Sequence, residues 1–427
     1  MQYRLHFGAL FVAICLGLYR WYGGPQASWS TGFAARRTAS HLPYEEFTGT
    51  LEQSPTDPRT HRLIRLPNGM VAACVHDPDA ANAAAALSVN VGAFSDPPEL
   101  MGLAHFLEHM LFLGTRKYPA EDEYVAYING NSGKYNAFTA LDTTAYFFEV
   151  ANGALEGALD RFSQFFIDPL FTPDGVGREL NAVDSEHKGN LQSDGRRLFQ
   201  LQRLLSRSTH PYSKFSTGNK DTLLGSSQRL GLDIRDEVVR FYNQRYSADI
   251  MRFAIVGNYS VEQLVEWTVA QLSSVQSKGD TREKMPVHPL GPNDLGKLVY
   301  YETVENKTTL SLQFGLPELK RTYRTMPSRY VASLVRRKTP GSVFHLLKEK
   351  GWATNIQADI HSLAYDGFNM FDIDIDLTPA GLEHHEDVLR AVLAYLAMLA
   401  NSGPQKWIHD ELRTMRKLEF QFFEKPG

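Results

Sequence analysis

The stretch Gly102–Tyr118, reading G-L-A-H-F-L-E-H-M-L-F-L-G-T-R-K-Y, constrains this chain more than any other. It contains His105, Glu108 and His109. On a helix, residues three and four apart share a face, so the three side chains project together. Two imidazoles at that spacing can hold one divalent cation, and the carboxylate beside them can handle protons. The order is H-x-x-E-H, the reverse of the H-E-x-x-H zinc helix. Around it stand Leu103, Ala104, Phe106, Leu107, Met110, Leu111, Phe112 and Leu113, so the helix is apolar on nearly every side. Such a helix is buried. Buried imidazoles and a buried carboxylate need partners, and one metal ion would satisfy all three. The plainer alternative is two structural histidines beside a glutamate bonded to a neighbour.

A catalytic zinc takes three protein ligands and a water. Glu179, Asp184 and Glu186 lie on one expected helix, Gly177 to about Gln192, and Glu179 and Glu186 are seven residues apart on one face. Acids on a helix are normally solvated, and spacing alone leaves either glutamate open as the third ligand. Glu108, placed between the two histidines, suits a general base that takes a proton from an attacking water and passes it to the leaving amine. With only Cys15 and Cys74 in the chain, neither a disulfide framework nor a cysteine zinc site is available.

The 427 residues suggest two or three domains at roughly 100–200 residues each. A formal net charge of −4 gives no reason to expect nucleic acid as a partner. The first 44 residues lack Asp and Glu but carry Arg4, Arg20, Arg36 and Arg37, and Phe7–Tyr19 is an uncharged, mostly apolar run. That run is shorter than the roughly 20 residues that span a bilayer. A mitochondrial transit peptide, a secretory signal and a disordered tail of a cytosolic protein all compete here, with Tyr19-Arg20-Trp21-Tyr22 a poor signal cleavage site. Cytoplasmic or mitochondrial placement is the expectation, without firm membrane association.

Residues 1–50 read as a tail, with the fold starting near Leu51. Pro67-Asn68-Gly69 marks a hairpin, and Leu87, Val89 and Val91 alternate as a strand. Strands are expected at Asn136–Thr139, Thr144–Val150 and Met251–Val256, with a helix at Leu155–Phe166 and another that follows the strand at Met251–Val256 and runs to about Leu272. Residues 277–296, with three prolines and three glycines, suit a linker between a module at 51–276 and another at 297–427. In the latter, Phe371, Ile373, Ile375 and Leu377 alternate with Asp372, Asp374 and Asp376, a half-exposed strand followed by a helix. Strand runs followed by helical runs indicate α+β layers.

Taken together, these residues resemble the pitrilysin family of inverzincin metallopeptidases, in its insulysin branch. The resemblance runs from about Leu63 to the end. It rests on the string from His105 to Pro119, on Asn136-Ala-Phe-Thr139 and Leu155-Glu-Gly-Ala-Leu-Asp-Arg-Phe162, and on Asn181-Ala-Val-Asp-Ser-Glu-His187 and His210-Pro-Tyr-Ser-Lys-Phe215. It implies a fold of homologous α/β-sandwich domains, a catalytic one and an inactive one, the second incomplete here. It implies one Zn2+ per chain on His105, His109 and Glu186, with Glu108 catalytic and Glu179 a supporting acid. Asn136 and Ala137 match an edge strand that pairs with the substrate backbone, and Phe112 and Phe138 match apolar groups near the site. The implied activity is hydrolysis of short peptides and small polypeptides. The family completes its site with an Arg and a Tyr from a second half, so a C-terminal half or a second copy of the chain stands as a candidate partner. A catalytically incompetent, partner-dependent half is the alternative. Arg196 stands where the family has an aromatic, Arg336-Arg337-Lys338-Thr339 where it has a glycine-rich turn, and Ala358 where it has glycine.

Overall fold

A computed structural model describes residues 32–282, 288–319, 322–360 and 367–422. The apolar run and most of the arginine-bearing segment of the first 31 residues lie outside them. These residues divide into two units, one of residues 32–192 and 211–282, the other of 193–210 and 288–422. Both combine helices with antiparallel-rich sheets, the α+β class expected.

The first unit is built on an eight-stranded sheet in the order β1-β2-β3-β4-β8-β5-β7-β6. Its strands are β1 (Phe33–Arg37), β2 (Pro43–Phe47), β3 (Thr60–Arg65), β4 (Val71–His76), β5 (Asn82–Val89), β6 (Lys134–Thr139), β7 (Thr144–Ala151) and β8 (Met251–Gly257). β4 and β8 run parallel and every other pair is antiparallel. The β3–β4 turn forms where the sequence places it. Gly69 takes φ +87°, Leu66 N–H donates to the Met70 carbonyl at 2.9 Å, and Asn68 Nδ2 donates to the carbonyls of Leu272 and Val275. Alternation sets the faces of β5: Ala83, Ala85, Leu87 and Val89 are buried, and the residues between them are not.

Two strands precede Leu51, so the ordered fold starts earlier than the sequence reading placed it. β1 and β2 are charged and lack a clean hydrophobic alternation. Their place at the sheet edge is supported by ion pairs across the strands, Arg36 with Glu46, Arg62 with Glu46 and Arg65 with Glu45. The expected linker also begins later than 277. Ser277 Oγ donates to Asp249, Lys278 N–H to Ser247 Oγ, and Thr281 Oγ1 to the Arg245 carbonyl, which ties residues 277–281 into the first unit.

Helices α1 (Leu103–Met110), α2 (Glu123–Gly130), α3 (Leu155–Ser163) and α4 (Pro173–Asn190), with the helices at Ile234–Arg245 and Val261–Leu272, complete this unit. The core joins Leu87, Val89, Phe106, Leu107, Phe148, Phe162 and Phe253, and α1 runs through it. In the second unit a three-stranded antiparallel sheet, order β10-β11-β9, is formed by β9 (Thr309–Pro317), β10 (Ala353–Ile360) and β11 (Phe368–Leu377). Phe371, Ile373 and Ile375 are buried against Val331, Val335, Leu347 and Val392 of its helices. Asp374 and Asp376 face the other side, where they meet Ser311 and Thr309. The helix expected after β11 forms as Pro379–Glu383, is interrupted at His384 and continues as His385–Ser402. Among the described residues no helix is long and apolar enough to cross a membrane.

Candidate metal centre

Helix α1 is short, and its start is made by groups outside it. Its N-cap is Gly102, at φ +95°, which offers no side chain to the free N–H groups of the first turn. Asp96 supplies the acceptors instead. One carboxylate oxygen takes the Gly102 N–H at 2.7 Å and the other takes the Ala104 N–H at 2.8 Å. Asp96 is itself buried, and burial pushes its carboxyl up to about 7, against these two bonds. Lys214 clamps the same turn by donating to the carbonyls of Phe94 and Asp96. The loop carrying Lys214 lies so close that a Cβ on Gly102 would stand 2.2 Å from the Cα of Gly218.

This packing orients His105. Its Nδ1 donates to the Thr217 carbonyl at 2.6 Å, which leaves Nε2 as the ring atom that can meet a ligand. His109, one turn on, donates from Nδ1 to Glu179 Oε2 at 2.9 Å. Both rings therefore present Nε2 outward, with their centroids 4.9 Å apart. α1 packs on α4, which brings Glu186 to both: its Oε2 is 3.3 Å from His105 Nε2 and 3.9 Å from His109 Nε2. The hydrogen bond from His105 holds the Glu186 carboxyl down at about 2. Burial lowers the proton affinity of His105, but Glu186, together with the Glu108 charge and the Thr217 carbonyl, raises it, and the net shift is upward. The two lie at ion-pair distance, and a divalent cation bound there would take the place of the proton between them.

The donor set fits a metal. A tetrahedral ion with bonds of roughly 2.0–2.1 Å to N and O holds its ligand atoms about 3.3 Å apart. The distance from His105 Nε2 to Glu186 Oε2 already has that value, and His109 Nε2 needs only a small closure. Fixing each Nδ1–H on a carbonyl or carboxylate is the arrangement that orients ligating histidines. Donor atoms of His105, Glu108 and His109 also lie within 4.8 Å of one another. Glu108 differs from Glu186 in its partner, since its Oε2 accepts from the Thr139 hydroxyl at 2.6 Å. It is 7% exposed, and burial raises its pKa.

His105, Glu108, His109 and Glu186 thus come together, and the two open glutamates separate by atom: Glu179 meets Nδ1 of His109, and Glu186 meets the Nε2 pair. Asn136 and Ala137 lie on β6, which ends the sheet; among the described residues no strand pairs with its outer edge. Asn136 Oδ1 accepts from the Ala137 N–H at 2.9 Å, so that N–H faces the open edge. Period-two alternation puts Ala137 and Thr139 on the α1 side of the sheet. Phe138 is 52% exposed on the other side, beside Phe147. Phe112 is packed among Tyr124, Tyr135, Tyr146 and Phe165. Asp96, Thr139, Lys214 and Thr217 were not singled out from the sequence. An acid six residues ahead of a helix with a glycine cap is a usable signal for Asp96, and the inward phase of β6 is one for Thr139. The carbonyl of Thr217 has none.

Residues 71–209 match the family described as insulinase (peptidase family M16), and residues 233–416 match the peptidase M16 inactive domain. The chain is 42% identical over 375 residues to the insulin-degrading enzyme of Drosophila melanogaster, covering 88% of this chain and 38% of that protein. It is 39% identical over 375 residues to the human insulin-degrading enzyme, covering 88% and 37%. The crystal structure of pitrilysin superposes with a TM-score of 0.86 at 30% identity, over 90% of this chain and 41% of that one. The chain spans about two fifths of the length of these relatives.

Proposed function

The chain belongs to the insulinase family of metallopeptidases, peptidase family M16, and on that premise we propose that it is an insulysin-type zinc endopeptidase acting on short peptides and small polypeptides. His105, His109 and Glu186 hold the zinc, Glu179 supports His109, and Glu108 is the catalytic base. The observation that carries this reading is the convergence of two Nε2 atoms on one Glu186 oxygen, with both Nδ1 atoms already bonded. When bound, zinc polarises the scissile carbonyl and brings the pKa of a water towards about 7. Glu108, with a carboxylate oxygen within 4.8 Å of a ring nitrogen of each histidine, accepts the proton of the attacking water and delivers it to the leaving amine. A substrate strand adds to the open edge of β6 by main-chain hydrogen bonds, with Ala137 N–H as one donor once Asn136 releases it. The acid-free, arginine-bearing N-terminal segment supports a cytoplasmic or mitochondrial site of action.

The test is metal analysis of the purified chain with cleavage of a fluorogenic peptide, and Glu108→Gln as control. Stoichiometric zinc and a loss of cleavage of several orders of magnitude in Glu108→Gln are expected; cleavage indifferent to that change would sink the mechanism. The coverage of the relatives favours a second reading, a zinc- and peptide-binding half that cleaves only with a partner half. Adding the C-terminal half of a relative distinguishes the two: cleavage appearing only in the mixture supports the second.

A further inference from the structure

Behind Glu108 lies a chain of hydroxyl groups that the mechanism above does not use. Thr139, the last residue of β6, donates to Glu108 Oε2 at 2.6 Å. Its hydroxyl oxygen lies 3.4 Å from that of Thr144, its register partner on β7. Thr144 is buried, donates to the Val91 carbonyl at 2.9 Å and is bonded to Tyr246, whose hydroxyl meets that of buried Tyr146 at 2.8 Å. The far end of this chain sits in the packed core, so its geometry is fixed. The near end sits on the edge strand to which a peptide would add.

We infer that Thr139 is a positioning residue for the reaction, acting through Glu108; the inference rests on the role of Glu108 proposed above. A carboxylate on a glutamate side chain turns about its last torsion with little resistance. A single donor at 2.6 Å, itself held by a strand, removes that freedom. With Oε2 engaged, Oε1 is left to receive the proton of the water. The same bond joins the docking edge to the base, because Thr139 belongs to β6. A peptide that adds to β6 therefore docks on the strand that holds the carboxylate serving its own hydrolysis.

The experiment compares Thr139→Val, which keeps the shape and removes the hydroxyl, with Thr139→Ser, which keeps the hydroxyl. The expected result for Thr139→Val is a fall in kcat of about 10- to 100-fold with KM and zinc stoichiometry unchanged. Thr139→Ser is expected to stay close to wild type. A crystal structure of zinc-loaded Thr139→Val should show the Glu108 carboxylate rotated out of its present orientation, and this readout decides the matter even where the chain alone does not cleave. An unmoved carboxylate, a defect confined to KM, or a Thr139→Ser variant as impaired as Thr139→Val overturns the inference. If Glu108→Gln abolishes cleavage while Thr139→Val leaves it intact, only this inference fails. If Glu108→Gln is fully active, the proposed mechanism fails instead.

Discussion

Replacing Gly102 by alanine should disturb both stability and metal binding, for reasons that can be worked from the backbone. Gly102 has φ +95°, where an L-residue is strained by roughly 1–2 kcal/mol. The added Cβ would meet Gly218 Cα at 2.2 Å and Gly218 N at 2.5 Å. Both are backbone atoms, so no side chain can rotate away, and such overpacking typically adds about 1–3 kcal/mol. The expected loss is therefore about 2–5 kcal/mol, a large share of the roughly 5–15 kcal/mol that stabilises a domain. Outward movement of the loop would relieve the clash only by lengthening the 2.6 Å bond between Thr217 and His105, which would weaken zinc binding. The assay is urea denaturation of the apo chain together with zinc affinity by chelator competition. Gly177→Ala is the control: Gly177 lies within α4, a Cβ there meets nothing within 4 Å, and a gain of about 0.5–1 kcal/mol is expected. A Gly102→Ala chain with wild-type midpoint and wild-type zinc affinity would show that the close approach of the two glycines does not govern this site.

Asp96→Asn leaves one acceptor for two backbone N–H groups and should lower stability by about 1–3 kcal/mol in the same denaturation assay. The bidentate hydrogen bonds from Arg59 hold the Asp57 carboxyl well below the usual carboxylate range. Because this folded-state value is depressed, the contribution is complete above the unfolded value of about 3.9 and is lost as pH falls through the folded one. Asp57→Asn should thus destabilise by up to about 1 kcal/mol at pH 7, with the gap from wild type closing below about pH 4 when unfolding midpoints are compared along a pH series. Ala137→Pro removes an N–H that faces the open edge of β6, so peptide KM should rise while zinc content is kept; unchanged KM would argue against strand addition there.

The motif on α1 was legible because its chemistry is local: a five-residue string fixes the face, and the apolar residues around it fix the burial. Much of the sheet was legible for the same reason, through the turn at Pro67–Gly69 and the alternation in β5 and β11. The choice between Glu179 and Glu186 could not be made from spacing. Two acids seven residues apart on one helix are equivalent until α4 docks on α1, and the docking gives one of them to Nδ1 and the other to Nε2. The orientation of His105 depends on a carbonyl 112 residues away, on a loop whose sequence announces no chemistry. β1 and β2 escaped notice because charge pairing rather than hydrophobic period sets their register.

The division of the chain has a practical consequence for anyone who wishes to take it apart. Residues 193–210 leave the unit that carries α4 and return to it at 211, so among the described residues the backbone passes from one unit to the other at 192–193 and 210–211 as well as between 282 and 288. A protease that cuts once between 282 and 288 would leave two polypeptide connections intact, and the nicked chain should still migrate as one species under native conditions. A recombinant fragment stopped near residue 276 would carry the Asp194–Leu204 helix without the unit it packs in, leaving Leu198, Leu201 and Leu205 facing water where they had faced Leu290 and Leu310 across one groove. Dissection of this protein is therefore better done by substitution than by truncation.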